Sequence, residues 1–156
     1  MRKEIRRKDK EISRAEAFEI LEKGHLGTLA VNGEEGYPYS VPVNYCMDGE
    51  NILFHSAMAG YKFDAMKKDP KVSFSVVLTE EIIQEVFTST YESAVVFGKV
   101  KFIEDEAEKK EKLMILVKRH HGDFVEKGQE YVDKAVAQTA VIEIIPEHVS
   151  GKRGVV

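Results

Sequence analysis

A mainly β fold with flanking helices, built on a six-stranded antiparallel sheet closed into a small barrel, is what this sequence predicts. Three observations predict it. Between residues 26 and 56 three strand-like segments follow one another with only turn residues between them, so they form a meander and not a βαβ series. Three further apolar segments, at 72–78, 91–103 and 139–145, bring the strand count to six. On a chain of 156 residues, closing the sheet on itself is the economical way to hide its edges.

The elements follow in order. Arg2, Lys3, Arg6, Arg7, Lys8 and Lys10 make a basic leader over 1–12, read as extended. Such an arm is either solvated or touches anions. Ser13 and Glu16 have capping-box spacing, Phe18 and Leu21 follow at helical spacing, and Gly24 closes this first helix as a C′ residue. Strands are expected at 26–31, 37–45 and 52–56, with turns at 32–36 and 48–51. Residues 61–68 read as a short helix ended by Asp69 and Pro70, because the residue before proline avoids the α region. Residues 79–89 read as loop or irregular strand, and Gly98 as a bulge or a close approach. The segment 104–122 is a helix with acids at its start and Lys118, Arg119, His120 and His121 at its end, an order that complements the helix dipole. Residues 123–138 read as partly helical, and Pro146 stops the last strand.

Length sets one domain as the expectation for residues 1–156. A net charge of −4 argues against a nucleic-acid binder. No apolar run reaches the roughly 18 residues that a membrane span needs, so no membrane partner is expected. Cys46 is the single cysteine, so no disulfide can form within the chain, and a cytoplasmic protein is the simplest reading. His25, His120, His121, His148 and Cys46 have no metal-site spacing, and no metal is expected. Glycine-rich nucleotide fingerprints and a nucleophile elbow are absent.

Two stretches carry the chemistry. Ser40, Val41, Pro42, Val43, Asn44 and Tyr45 form a strand that Pro42 marks as an edge, a bulge or a ligand-facing wall. Asn44 is disfavoured in a strand, so its amide either reads a ligand's polar edge or pairs with a neighbouring loop. Pro42, Val43 and Tyr45 could offer backbone and apolar contact to a planar ring. Ten residues on, His55, Ser56 and Ala57 end a strand and run through Gly60 to Lys62. A serine, a small-residue loop and a lysine suit a phosphate, although a lone lysine there also fits an ordinary helix surface. His55 either faces a ligand, as hydrogen-bond donor, acid or base, or is a half-buried histidine satisfied by the backbone.

Taken together, Ser40 to Tyr45, Phe54 to Ala57, Gly60 to Lys62 and Tyr91 to Gly98 resemble the flavin-binding split barrels related to pyridoxamine 5′-phosphate oxidase. Within that family the 5-nitroimidazole resistance (nitroreductase-like) branch is the most similar; the openings at Arg6 and His25 and the ending at Val149 to Lys152 also fit it. The resemblance implies a six-stranded split barrel that dimerises, with FMN, or FAD in its place, in clefts between two subunits. It implies that Val41, Pro42, Val43 and Asn44 lie beside the flavin ring, and that His55, Ser56, Ala57 and Lys62 lie near the ring edge, ribityl chain and phosphate. It assigns the 84–95 region, with Tyr91 and Ser93, to the second subunit's contribution; the catalytic role for His55, biasing the flavin's protonation or contacting the acceptor, belongs to the first reading of the activity. The branch's substrate is not carried over, because one fold and cofactor serve many activities; the first reading of the activity is reduction of a small organic acceptor, a nitroaromatic or nitroimidazole among them, with electrons from NAD(P)H. The chain departs from true pyridoxamine phosphate oxidases in having no tryptophan and no basic and aromatic C-terminal signature, so the vitamin B6 reaction is not carried over. The alternative is a non-catalytic protein that stores or senses flavin or haem.

Overall fold

The computed structural model describes residues 3–156; Arg2 of the basic leader lies outside the described residues. Eight strands form one antiparallel sheet: β1 (Glu11–Ile12), β2 (Leu26–Asn32), β3 (Pro38–Asn44), β4 (Cys46–Asp48), β5 (Asn51–Ala57), β6 (Lys71–Ile83), β7 (Thr88–Ile103) and β8 (Thr139–Gly154). Four α-helices accompany them: α1 (Arg14–Lys23), α2 (Tyr61–Lys68), α3 (Glu106–His120) and α4 (Val125–Ala135).

The sheet runs β3-β2-β6-β7-β8-β5-β4, with β1 on the far half of β8. The two ends of that path, β3 and β4, are separated in sequence by Tyr45 alone. The sheet must therefore curl until its end strands meet, which is why the meander closes as a barrel. The mainly β antiparallel class is as the sequence predicts, but the strands number eight, not six. β1 and β4 are two and three residues long, too short to leave a periodic signature.

Alternation along β5 divides the molecule into two packed layers. Ile52 and Phe54 point into the barrel with Leu29, Phe74, Val96, Ile142 and Ile144. Leu53 points the other way, to a second cluster with Cys46, Val141, Leu113 and Leu116 of α3 and Val132 of α4. Helix α1 feeds Ala17, Ile20 and Leu21 into the barrel core, while Phe18 is only half-buried at its margin. Its capping box is complete: the Glu16 N–H donates to Ser13 Oγ at 3.1 Å and the Ser13 N–H to Glu16 Oε2 at 2.8 Å.

Several expectations are corrected. Gly24 follows α1 in an extended conformation, not a left-handed one. Its need for glycine is spatial, since a Cβ there would collide with the Tyr45 hydroxyl. The last strand does not stop at Pro146. Pro146 pairs opposite Gly98, where a register shift in β7–β8 absorbs one extra residue, and pairing continues to Gly154. Of the two readings of residues 79–89, irregular strand is the one that forms: after a register shift between Val77 and Thr79, β6 and β7 extend through them as a long hairpin whose tip carries Phe87 at φ +51°. The leader is extended only in part: residues 8–10 form a turn of 3-10 helix and 11–12 pair with β8. No helix among the described residues is long and apolar enough to cross a membrane.

Candidate functional site

The proline-bearing strand β3 is a sheet edge, with β2 as its one neighbour among the described residues and Pro42 opposite Thr28. Tyr39, Val41 and Val43 pack against the barrel core, and Ser40, Pro42 and Asn44 face outward. Val41 and Val43 thus leave mainly their backbone to the edge. Tyr45 offers a ligand nothing: its ring is fully buried edge-on to Phe74 at 5.1 Å, and its hydroxyl donates to the Leu21 carbonyl at 2.7 Å. Burial pushes that hydroxyl far above its ordinary pKa.

Helix α2 brings the second stretch to the same edge. Tyr61, its first residue, packs against Tyr39 with ring centroids 4.5 Å apart and the rings tilted by 39°. The Tyr61 hydroxyl also accepts the Glu34 backbone N–H at 2.7 Å, so the helix start is tied to the β2–β3 loop. Gly60 enters at φ +114°, a region that favours glycine, and no side chain caps the helix. Lys62 stands on this uncapped first turn, half-buried, with no ion pair or hydrogen bond among the described residues.

The end of β5 points elsewhere. His55, Ser56 and Ala57 line a cavity of about 680 Å³ whose other walls are α3 and α4. His55 is solvent-accessible at its rim, but the protein around it lowers its pKa by desolvation. Ser56 is 9% exposed, and its hydroxyl donates to the Ala57 carbonyl at 2.8 Å. His120 and His121 border this cavity and also a smaller one of about 300 Å³ that contains Asn44, His25 and Arg119. The end of α3 is held there by Arg119 Nη2, which donates to the Glu22 and Lys23 carbonyls at 3.3 and 3.4 Å, and by His120 Nε2 on the Tyr45 carbonyl at 2.8 Å. Burial lowers the His120 pKa, and its bond to Tyr45 opposes that shift.

The single chain therefore gathers His55, Ser56 and Ala57 in one cavity and puts Asn44 next door. Lys62 borders none of these cavities. Tyr91 and Ser93 sit two strands away on β7, Tyr91 beneath the Lys10 ammonium at 5.3 Å. Sequence reasoning missed the α3–α4 walls. Leu116, Val117 and the His120–His121 pair carried the signal, but read locally they are a core stripe and a basic helix end. No cluster of three or more histidine, cysteine or acidic side chains fit to hold a metal occurs among the described residues. Cys46 is buried, and burial pushes its thiol up to about 11, so it is inert.

The outer face of the sheet is unusual in composition. One cross-strand row runs Pro42, Thr28, Ser75, Val95 and Ser150; the next runs Ser40, Ala30, Ser73, Phe97 and His148. Neither row holds a lysine, arginine or carboxylate. Val77 (61% exposed), Phe97 (40%) and Val95 (37%) lie open on this face, which Asn44 and Ser93 share.

A curled antiparallel sheet with consecutive end strands, a proline edge and flanking helices defines a split β-barrel. The chain belongs to the pyridoxamine 5′-phosphate oxidase family, which matches residues 13–153. Similar solved structures include a candidate 5-nitroimidazole antibiotic resistance protein from Bacteroides thetaiotaomicron, 24% identical with a TM-score of 0.68 over 91% of this chain and 85% of that one. An FAD-binding protein from Mesorhizobium loti is 25% identical, with a TM-score of 0.66 over 93% of this chain and 97% of that one. The FAD and heme binding protein from Mycobacterium smegmatis is 20% identical, with a TM-score of 0.79 over 93% of this chain and 73% of that one. A search of curated proteins finds no match.

Proposed function

We propose that this chain is a homodimeric FMN flavoprotein, an oxidoreductase of the cytoplasm that passes electrons from NAD(P)H to a small organic acceptor such as a nitroaromatic. One observation carries the reading: the uncapped first turn of α2, with its unpaired Lys62, is tied by Tyr61 to the proline-bearing edge β3. An uncapped helix start and a free ammonium suit a phosphate. An adjacent edge of outward Pro42 and Asn44, with the β3 backbone, suits a flat ring. Bound flavin would supply the hydride and electron chemistry. The chain's own part is to hold the phosphate at Lys62 and to orient the ring along residues 41–44.

The second copy enters through the outer face, because its two central rows carry no charge and its open Val77, Val95 and Phe97 match the composition of an interface core. Pro42, Asn44 and Ser93 lie on or beside that face, so a partner seated there would help to wall a shared cleft. The β6–β7 hairpin tip adds a reach toward the partner, with Phe87 97% exposed. FAD in place of FMN fits the similarity to FAD-binding proteins. The rival reading is a flavin or haem store, favoured by the histidines around the cavity and by the likeness to a flavin- and haem-binding protein.

The visible spectrum of the purified protein, with its chromophore identified by mass, tests this. A flavin spectrum is expected, with bleaching by NADH and recovery on adding a nitroaromatic. Lys62→Gln is expected to weaken FMN about tenfold and to leave phosphate-free riboflavin unchanged. Colourless protein that takes up neither FMN nor FAD overturns the reading, and flavin that binds but never turns over moves the chain to the store.

A further inference from the structure

We propose that the cavity between β5 and the α3–α4 pair is a binding site for an organic anion with an apolar body, such as an aromatic carboxylate, separate from the flavin. Its volume of about 680 Å³ is that of a small-molecule pocket. Its floor is aliphatic: Leu113, Leu116, Val117 and Val132. Its rim carries donors, among them Lys127, His121, Tyr131 and Gln138. No aspartate or glutamate lines it, in a chain that holds 27 acids against 23 lysines and arginines. In an acidic protein, a chamber free of carboxylate and edged by an ammonium selects the sign of its guest. A cation would find no partner there, and burying an unpaired charge is costly. An anion finds Lys127 and neutral donors, while its apolar body covers the aliphatic floor.

The chamber's walls are tied to one another and to the sheet by other contacts. Gly128 of α4 lies so close to Val117 of α3 that a Cβ would collide, which sets the spacing of the two helices. Past α4, the Thr139 hydroxyl donates to the Ala135 carbonyl at 2.8 Å, and at the far end of α3 His120 is fixed on the Tyr45 carbonyl. These contacts fix α3 against α4, α4 against β8 and α3 against Tyr45 around the space.

The test is isothermal titration of the purified protein, with no flavin added, against 2-naphthoate and the matched cation 2-naphthylmethylammonium. Naphthoate is expected to bind at least about tenfold more tightly than the cation. Lys127→Gln, an exposed change, is expected to erase that preference. Ala135→Trp, which fills the chamber from α4, is expected to abolish naphthoate binding. Equal affinity for the two ions overturns the proposal, as does unchanged naphthoate binding in a folded Ala135→Trp. In a second arm, FMN is added to the naphthoate complex. Binding of both together supports two sites, and displacement of naphthoate by FMN shows the chamber to be the flavin's own and overturns it. Because the first arm uses no flavin, failure to bind FMN would sink the proposed function and leave this result standing.

Discussion

Phe54 and His55 are neighbours on one strand and face two different solvents. Phe54 looks into the barrel, where it, Leu29, Phe74, Ile142 and Ile144 expose no surface at all. His55 looks out to a layer in which α3 and α4 cover Leu53 and Val141 but stand off from the strand's end, leaving the 680 Å³ space. The barrel is built for packing density; the outer layer gives some of that up to keep a chamber. Core truncations should feel the difference. Phe74→Ala is expected to cost about 3–5 kcal/mol, because a closed core collapses little around a lost ring. Leu116→Ala, on a wall that already borders a void, should cost about 2 kcal/mol. Urea unfolding of the two variants compares the layers, and equal losses would mean the outer layer is as tightly packed as the inner.

The outer layer is pinned where it meets the sheet. Lys112 of α3 reaches down to Glu143 of β8 at 2.9 Å and to Asp48 of β4. The Asp48 and Glu143 contacts raise the lysine's pKa well above its ordinary value. Glu143 is 5% exposed, and its other support is the Asn51 amide at 3.5 Å. Lys112→Met therefore strands a buried carboxylate and should cost about 2 kcal/mol, below the usual figure for a fully buried pair because the lysine side chain is 20% exposed. Adding Glu143→Met should recover most of the loss, and a double-mutant cycle measures that coupling. If the second change only deepens the loss, the clamp is not what joins α3 to the sheet.

What could be read from the sequence divides along the same line. Contacts made within a few residues were legible: the Ser13–Glu16 box and the 61–68 helix follow from local chemistry. The proline edge and the Gly60–Lys62 turn were legible for the same reason. Features fixed by distant packing were not. Tyr45 reads as a ring at a strand end, yet the fold draws it beneath α1, where Gly24 makes room for its hydroxyl. Pro146 reads as a stop, and only its pairing with Gly98 turns it into a bulge. The chamber needs α3, α4 and β5 together, and no one of them announces it.

Proton linkage gives the smallest effect and the finest probe of the two layers. Burial lowers the pKa of His55 and His120 from 6.5, so the unfolded chain takes up their protons more readily than the folded one. The stability tied to these rings is present above about pH 6.5 and is lost as pH falls through their folded values. Glu16, bonded by the Ser13 N–H, and Asp69, bonded by the Lys71 N–H, have lowered pKa values and add losses of the same sign at lower pH. On the alkaline side the order reverses. Cys46, raised by burial to about 11 from 9, favours the fold below pH 9, and that support fades as pH climbs through 11. The urea midpoint should thus be highest near pH 7.5 and lower at both pH 5 and pH 10. Both histidines border the α3–α4 chamber, whereas Cys46 starts β4. Hydrogen exchange at pH 5.5 should accordingly speed up first in α3 while β5 to β8 stay protected, and His120→Gln should flatten the acid limb alone. Loss of protection in the barrel strands at the same pH as in α3 would mean that the two layers unfold as one unit.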